Sequence, residues 1–138
     1  MTGQTVRSPA QAVTESAQLF NEGKMEASLA YFADDAVYKL IGLPPNLPDI
    51  HTGKGELRAW FKEMFADQFQ LQVEIVNVEG ETVTTKTLSW SNTTRNLGVA
   101  PLVASEVYLV KDDQIAHVTW TIEPESQAKF VQAMAARQ

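Results

Sequence analysis

Apolar side chains recur along this chain with two different periods, and the change between them divides it. In the first half they return every three to four residues, as on a helix. Val13, Ala17 and Phe20 form one such stripe, Met25, Leu29 and Phe32 a second, and Leu57, Trp60, Phe61, Met64 and Phe65 a third, broad one. Ser8-Pro9 predicts the start of the first helix, because Ser caps a helix well and Pro suits its first position. Gly23 predicts its end as a left-handed cap. A short linker then makes the first two helices an antiparallel hairpin. The third helix starts at Thr52 or Gly53 and runs to about Ala66. From Phe69 onward the period is two. Residues 69–79 alternate apolar and polar almost strictly, which predicts a half-buried strand. Gly80-Glu81 turns the chain into a long Thr-rich strand from Thr82 to about Thr94.

Residues 104–123 read as two strands joined at Asp112-Asp113-Gln114, since Asp tolerates turn geometry and left-handed backbone angles. Pro124-Glu125-Ser126 opens a last helix, to about Ala136. Between the hairpin and the third helix, residues 33–35 form a turn and residues 36–41 a short strand. Residues 42–53, with three prolines and two glycines, form an irregular loop of the kind that often walls a site. Helices first and a strand meander last read as α+β. The long strands must twist and curl. The predicted architecture is therefore a cone-shaped, curved antiparallel sheet wrapped around the helix at 55–66, with an open mouth. Residues 1–8 are expected to form a loose tail, and residues 9–138 a single domain.

One residue breaks the apolar pattern. Glu106 lies within a β-rich run, two positions before Tyr108 and on the same strand face. If it points inward, strand parity puts it opposite Trp120 and near Tyr38, in surroundings that disfavour its charged form and raise its pKa. If it points outward, it is a solvated partner for Lys86. Parity also lets Trp60, Trp90 and Trp120 converge, with Asn92 on the Trp90 face. Leu40, Met64, Tyr108 and Val118 complete the expected pocket wall. By the same reasoning Val83, Thr85, Thr87, Ser89 and Ser91, with His117, Thr119 and Thr121, should line the convex face. That face of small and β-branched side chains suits a two-fold partner, so a homodimer is expected.

Composition excludes several chemistries. The 138 residues hold 11 Lys+Arg and 17 Asp+Glu, a net charge of −6. Such a chain, without a basic stripe, is a poor partner for nucleic acid or an anionic membrane. It has no Cys, which removes thiol nucleophiles, disulfides and Cys-based zinc sites, and fits a reducing cytoplasm. His51 and His117 have neither metal-ligand spacing nor a third partner, so no metal and no cofactor are expected. His117 should leave the cavity by parity, and His51 is expected to face solvent from its loop. No apolar run approaches the roughly 20 residues of a membrane span.

Three local patterns carry a family resemblance: Phe32-Ala-Asp-Asp-Ala-Val37 entering the first strand, Thr52-Gly-Lys-Gly-Glu-Leu-Arg58 entering the third helix, and Gln114-Ile-Ala-His-Val-Thr-Trp120 in the last strand. With the element order, they make the chain resemble the nuclear transport factor 2-like superfamily, especially its SnoaL-like branch, over residues 10–136. The superfamily holds isomerases, cyclases, hydrolases, dehydratases and pure binding proteins, so the likeness speaks for the fold and not for a reaction. Against ketosteroid isomerases, the resemblance puts Leu40 at the place of the catalytic base and Ser16 at that of the oxyanion tyrosine. Glu106 falls on the acid that an apolar cavity keeps protonated, an enzyme that is itself a standard illustration of that effect. Against limonene epoxide hydrolases, Trp120 stands where a cavity Asp is needed. Two readings stay open. One is cofactor-free acid–base chemistry on a small hydrophobic compound, of isomerase, cyclase or hydrolase type, with Glu106 and Tyr38 as the catalytic pair. The other is a non-catalytic binding or scaffold domain whose cavity holds a ligand or is plugged by indoles.

Overall fold

Ser8 opens the first helix with a reciprocal cap. Its hydroxyl accepts from the Gln11 backbone N–H at 3.1 Å, and its own N–H donates to the Gln11 side chain at 2.8 Å. From this point a computed structural model describes residues 8–137. The tail expected at residues 1–8 therefore lies outside the described residues, apart from Ser8 itself. Helix α1 is Pro9–Asn21 and α2 is Met25–Leu29, joined through Gly23 at φ +79°. Strand β1, Phe32–Ile41, begins earlier than the expected residue 36. The Ala-Asp-Asp stretch is a bulged part of the strand, not a turn. The pairing register with β6 shifts between Phe32 and Val37, so the extra residues bow outward and expose Asp34 and Asp35.

The loop after β1 is pinned at both ends. Gly42, at φ +95°, lies so close to β6 that a Cβ would come within 2.6 Å of the Ile122 side chain, and the Gln127 amide donates to its carbonyl. At the far end the Leu40 N–H donates to the Asp49 carbonyl at 2.8 Å. A short strand follows, β2, Ile50–Thr52, pairing antiparallel with β1 and setting His51 opposite Tyr38. Periodicity could not reveal it, because three residues are too few to show an alternation.

Helix α3, Gly53–Ala66, β3, Gln70–Glu79, and β4, Thr82–Trp90, follow. The expected strand to Thr94 stops earlier, because Ser91 caps a short helix, α4, Asn92–Asn96. The Ser91 hydroxyl accepts from the Thr94 N–H and the Thr94 hydroxyl from the Ser91 N–H, each at 3.0 Å. Strands β5, Leu102–Lys111, and β6, Gln114–Ile122, are joined at Asp112 and Asp113, both at positive φ (52° and 67°), as a tight hairpin requires. Helix α5, Pro124–Ala136, ends the fold.

The six strands form one curved, unclosed sheet in the order β2-β1-β6-β5-β4-β3. All neighbours are antiparallel except β1 and β6, which run parallel. A parallel pair needs a long crossover, and here most of the domain supplies it. The inner face is covered by α1 and α5 as well as by α3. Phe20 of α1 meets Phe61 and Phe65 of α3 edge-on, at centroid distances of 5.4 and 4.7 Å. A second apolar cluster joins Leu40, Leu102, Trp120 and Ile122 of the sheet to Phe130 of α5, and Trp60 and Tyr38 pack against both clusters. Among the described residues no helix is long and apolar enough to cross a membrane.

The face assignment of β4 differs from the sequence expectation. Val83, Thr85, Thr87, Ser89 and Ser91 are buried and do not lie on the convex face. Lys86 is on the outer side, paired with Ser105, and does not partner Glu106. The convex surface expected to pair two copies thus loses its β4 members and keeps His117, Thr119 and Thr121 of β6, which have the opposite parity to the buried Val118, Trp120 and Ile122.

Candidate functional site

Strand β5 carries Glu106 inward because its neighbours in the same row, Ala104, Tyr108 and Val110, belong to the core. The residue is only 2% exposed. Three hydroxyls donate to it. The Tyr108 phenol reaches Oε1 at 2.6 Å and the Thr87 hydroxyl reaches the same oxygen at 2.8 Å. The Tyr38 phenol donates to Oε2. Thr85 extends the group, its hydroxyl lying 2.9 Å from that of Thr87. The register explains the assembly: Glu106 sits opposite Trp120 on β6 and Thr85 on β4, while Tyr38 and Tyr108 both sit opposite Val118.

The electrostatics follow from burial. Loss of solvent raises the Glu106 pKa above the usual carboxylate range, and this outweighs the opposite pull of the hydrogen bonds from Tyr108, Tyr38 and Thr87. Burial, and then the adjacent carboxyl, push both phenols well above their usual range, so they stay protonated donors at neutral pH. The cluster is therefore an acid that can give up a proton, with three hydroxyls placed to hold the carboxylate left behind.

A half-open cavity of about 320 Å³ lies against this cluster. Its wall is mostly apolar and includes Leu40, Trp60, Met64 and Trp120 beside Glu106, Tyr38 and Tyr108. Residues 43, 47 and 48 of the pinned loop close one side. The indoles do not plug it. Three expected wall residues are elsewhere. Trp90 is half-buried on the other face of β4 and Asn92 has left the sheet for α4, so neither lines the cavity. Val118 faces inward but is sealed in the core at 1% exposure, covered by the side chains around it. In their place Thr87, Ser89, Ser91 and Thr94 supply hydroxyls to the wall. Alternation alone could not find them, because they are polar residues facing inward.

His51 also departs from expectation. It lines the cavity instead of facing solvent from a loop. Its imidazole stacks on Trp60 with centroids 4.1 Å apart and planes 7° from parallel. Burial lowers its pKa, against the attraction of Glu56, Glu63 and Asp49. No local signal could have found this, because β2 is placed by its pairing with β1. Among the described residues no three His, Asp or Glu side chains cluster as metal ligands.

A profile of the SnoaL-like domain matches residues 13–118 of the 138. The chain belongs to the SnoaL-like family. That family lies within the nuclear transport factor 2-like superfamily, in keeping with the curved sheet and its cavity. No functionally curated relative matches this SnoaL-like chain. Solved structures share its fold at low identity. An NTF2-like protein of unknown function from Cytophaga hutchinsonii ATCC 33406 is 14% identical, with a TM-score of 0.70 over 90% of this chain and 96% of its own. The epoxide hydrolase/cyclase-like enzyme SalBIII, which has a role in pyran ring formation in the polyether salinomycin, is 15% identical, with a TM-score of 0.70 over 86% and 92%. A computationally designed 17-OHP binder is 18% identical, with a TM-score of 0.71 over 87% and 95%. At these identities the likeness is one of fold.

Proposed function

We propose that this SnoaL-like protein takes a small, mostly apolar compound into its cavity and performs cofactor-free acid–base chemistry on it, with Glu106 as proton donor. The observation that carries this reading is the carboxyl on the cavity wall, dry, protonation-prone and ringed by Tyr38, Tyr108 and Thr87. A neutral carboxyl at such a place gives its proton to a ligand carbonyl or hydroxyl oxygen, and the three hydroxyls then stabilise the carboxylate. A cavity of about 320 Å³ fits a molecule of one to three rings. The designed 17-OHP binder and SalBIII support the reading to the extent that this fold can be used for a ligand or a reaction inside it.

A second reading, a non-catalytic binding domain, is favoured by Leu40 and Ser16. They stand where the resemblance to steroid isomerases would place a base and an oxyanion tyrosine. The Ser16 hydroxyl is already turned to the Val13 carbonyl at 3.0 Å. The two readings separate in heavy water. Cyclic ketones such as 2-tetralone and 1-indanone would be incubated with the protein in D2O, and deuterium uptake next to the carbonyl followed by mass spectrometry. Protonation of the carbonyl by Glu106 loosens the adjacent C–H bond, whose hydrogen leaves to solvent while the electron pair forms the enol. Uptake above the uncatalysed rate, reduced at least about a hundredfold in Glu106→Gln, is the expected result. Ketones that bind without exchanging assign the protein to the binding class. Ketones that do not bind at all remove the pocket.

A further inference from the structure

Most hydroxyls on the cavity wall are already bonded within the chain. Thr87 donates to Glu106 and is met by Thr85. Ser91 and Thr94 cap α4 reciprocally. Ser16 is turned to the Val13 carbonyl, and Ser28 donates to the Ser16 carbonyl at 2.9 Å. Thr93 is half-buried at the start of α4, where solvent reaches it. Ser89 is different. It lines the cavity and is only 6% exposed, yet its hydroxyl makes no hydrogen bond with any described residue. Nor is that oxygen sealed inside the protein. Among the described residues the one sealed side-chain nitrogen or oxygen without a partner is His51 Nε2. The little surface that Ser89 keeps therefore includes its oxygen.

The sheet gives that oxygen its direction. Ser89 belongs to the inward row of β4, with Val83, Thr85 and Thr87. It is paired with Leu71 on β3 and with Leu102 on β5, and both leucines line the same cavity. The hydroxyl thus faces the cavity from between two apolar side chains. A buried hydroxyl without a partner costs stability, and packing alone would be served by an apolar residue. Ser89 stands two residues beyond Thr87 on the same face. Its oxygen is therefore about 7 Å along the wall from the hydroxyl that holds Glu106 Oε1.

We propose that Ser89 Oγ is a second ligand-binding atom, and that the cavity selects a mostly apolar ring compound with two oxygens about 7 Å apart. One oxygen engages the Glu106 cluster and the other bonds Ser89 Oγ. This rests on the pocket reading above and adds to it the spacing of the ligand's polar groups. Ser89 both donates and accepts, so it serves a ligand hydroxyl or carbonyl alike. The second oxygen belongs to a neutral group. Glu63 and Asp67 line the same cavity, and among the described residues no Lys or Arg does, so an anionic group would meet repulsion and no counter-charge.

Hydroxylated ketones test this. Affinities of 2-tetralone and of its 5-, 6-, 7- and 8-hydroxy derivatives would be measured by calorimetry on the native protein, Ser89→Ala and Thr93→Ala. The two oxygens are farthest apart in the 6- and 7-isomers and closest in the 8-isomer. The expected result is a 6- or 7-isomer binding roughly tenfold tighter than 2-tetralone, the size of one hydrogen bond to a dry partner. That ratio falls to near one in Ser89→Ala and persists in Thr93→Ala. Ser89→Ala should also unfold at no lower urea concentration than the native protein, because the lost hydroxyl held nothing in the chain. If no isomer exceeds 2-tetralone, if the 8-isomer binds tightest, or if the ratio survives in Ser89→Ala, Ser89 is not a ligand-binding atom and the pocket stands without it. An earlier unfolding of Ser89→Ala would give the hydroxyl a partner within the chain and overturn the proposal in the same way. If neither 2-tetralone nor any derivative binds, the pocket reading falls and this inference with it.

Discussion

Strands β4 and β6 flank β5 on either side, each nine residues long, and they obey opposite rules. On β6 the inward row is Ile115, Val118, Trp120 and Ile122, while Thr119 and Thr121 face out. On β4 the inward row below Val83 is Thr85, Thr87 and Ser89, and Leu88 and Trp90 lie on the other face. The cause is Glu106 between them. A buried carboxyl needs donors, and β4 supplies one of its three, the Thr87 hydroxyl backed by that of Thr85, without adding another charge. β6 presents Trp120 to the same residue and gives it an apolar wall. One neighbour helps the two tyrosines to satisfy the carboxyl, and the other desolvates it.

The strongest way to break this contrast is to put a charge in the inward row of β4. Thr87→Asp sets a second carboxyl against Glu106, and one of the two must stay protonated or unpaired. A loss of about 3–5 kcal/mol in urea unfolding is expected. Thr84→Asp, on the outer side, should cost less than about 1 kcal/mol. Equal costs would mean that β4 does not face as described.

Exchanging the two rules between the strands should hurt in both directions, by less. Thr87→Val leaves Glu106 with one donor fewer and should cost about 1–2 kcal/mol. It should also raise the Glu106 pKa further, because the lost hydrogen bond favoured the charged form. Val118→Thr buries a hydroxyl in a tightly packed apolar place and should cost about 1–3 kcal/mol. A stabilising Thr87→Val would show that the hydroxyl row does not serve the carboxyl.

The smallest effect is a slope with pH. The Glu106 pKa is raised on folding. Its favourable contribution is therefore fully present below the unfolded value and is lost as pH rises through the folded one. Glu106→Gln has no such proton to lose. The stability of the native protein relative to Glu106→Gln should fall as pH rises above the ordinary glutamate value, with the other carboxylates cancelling in the difference. A flat difference would mean that Glu106 titrates as an ordinary exposed glutamate.

The sequence by itself determined the elements and much of the site. Helical stripes placed α1 and α3 to within a residue or so, the change of period at Phe69 placed the strand meander, and Asp112-Asp113 placed the hairpin. Parity put Glu106 and Tyr108 on one face of β5 and Trp120 with Val118 and Ile122 on one face of β6, but left open which way Glu106 faces, because Val103, Val107 and Leu109 make the other row of β5 apolar too. Tertiary structure decided the rest. Alternation cannot show which way β4 faces when the inside itself is polar, since Thr and Ser turned inward toward a carboxyl look the same as Thr and Ser turned out to water. Nor could it show that Ser91 would cap a helix and carry Asn92 off the sheet. Strand β2 has no pattern of its own and exists only because β1 offers it an edge, so the placing of His51 on Trp60, beside the acid, was settled by pairing between distant segments and not by any local preference.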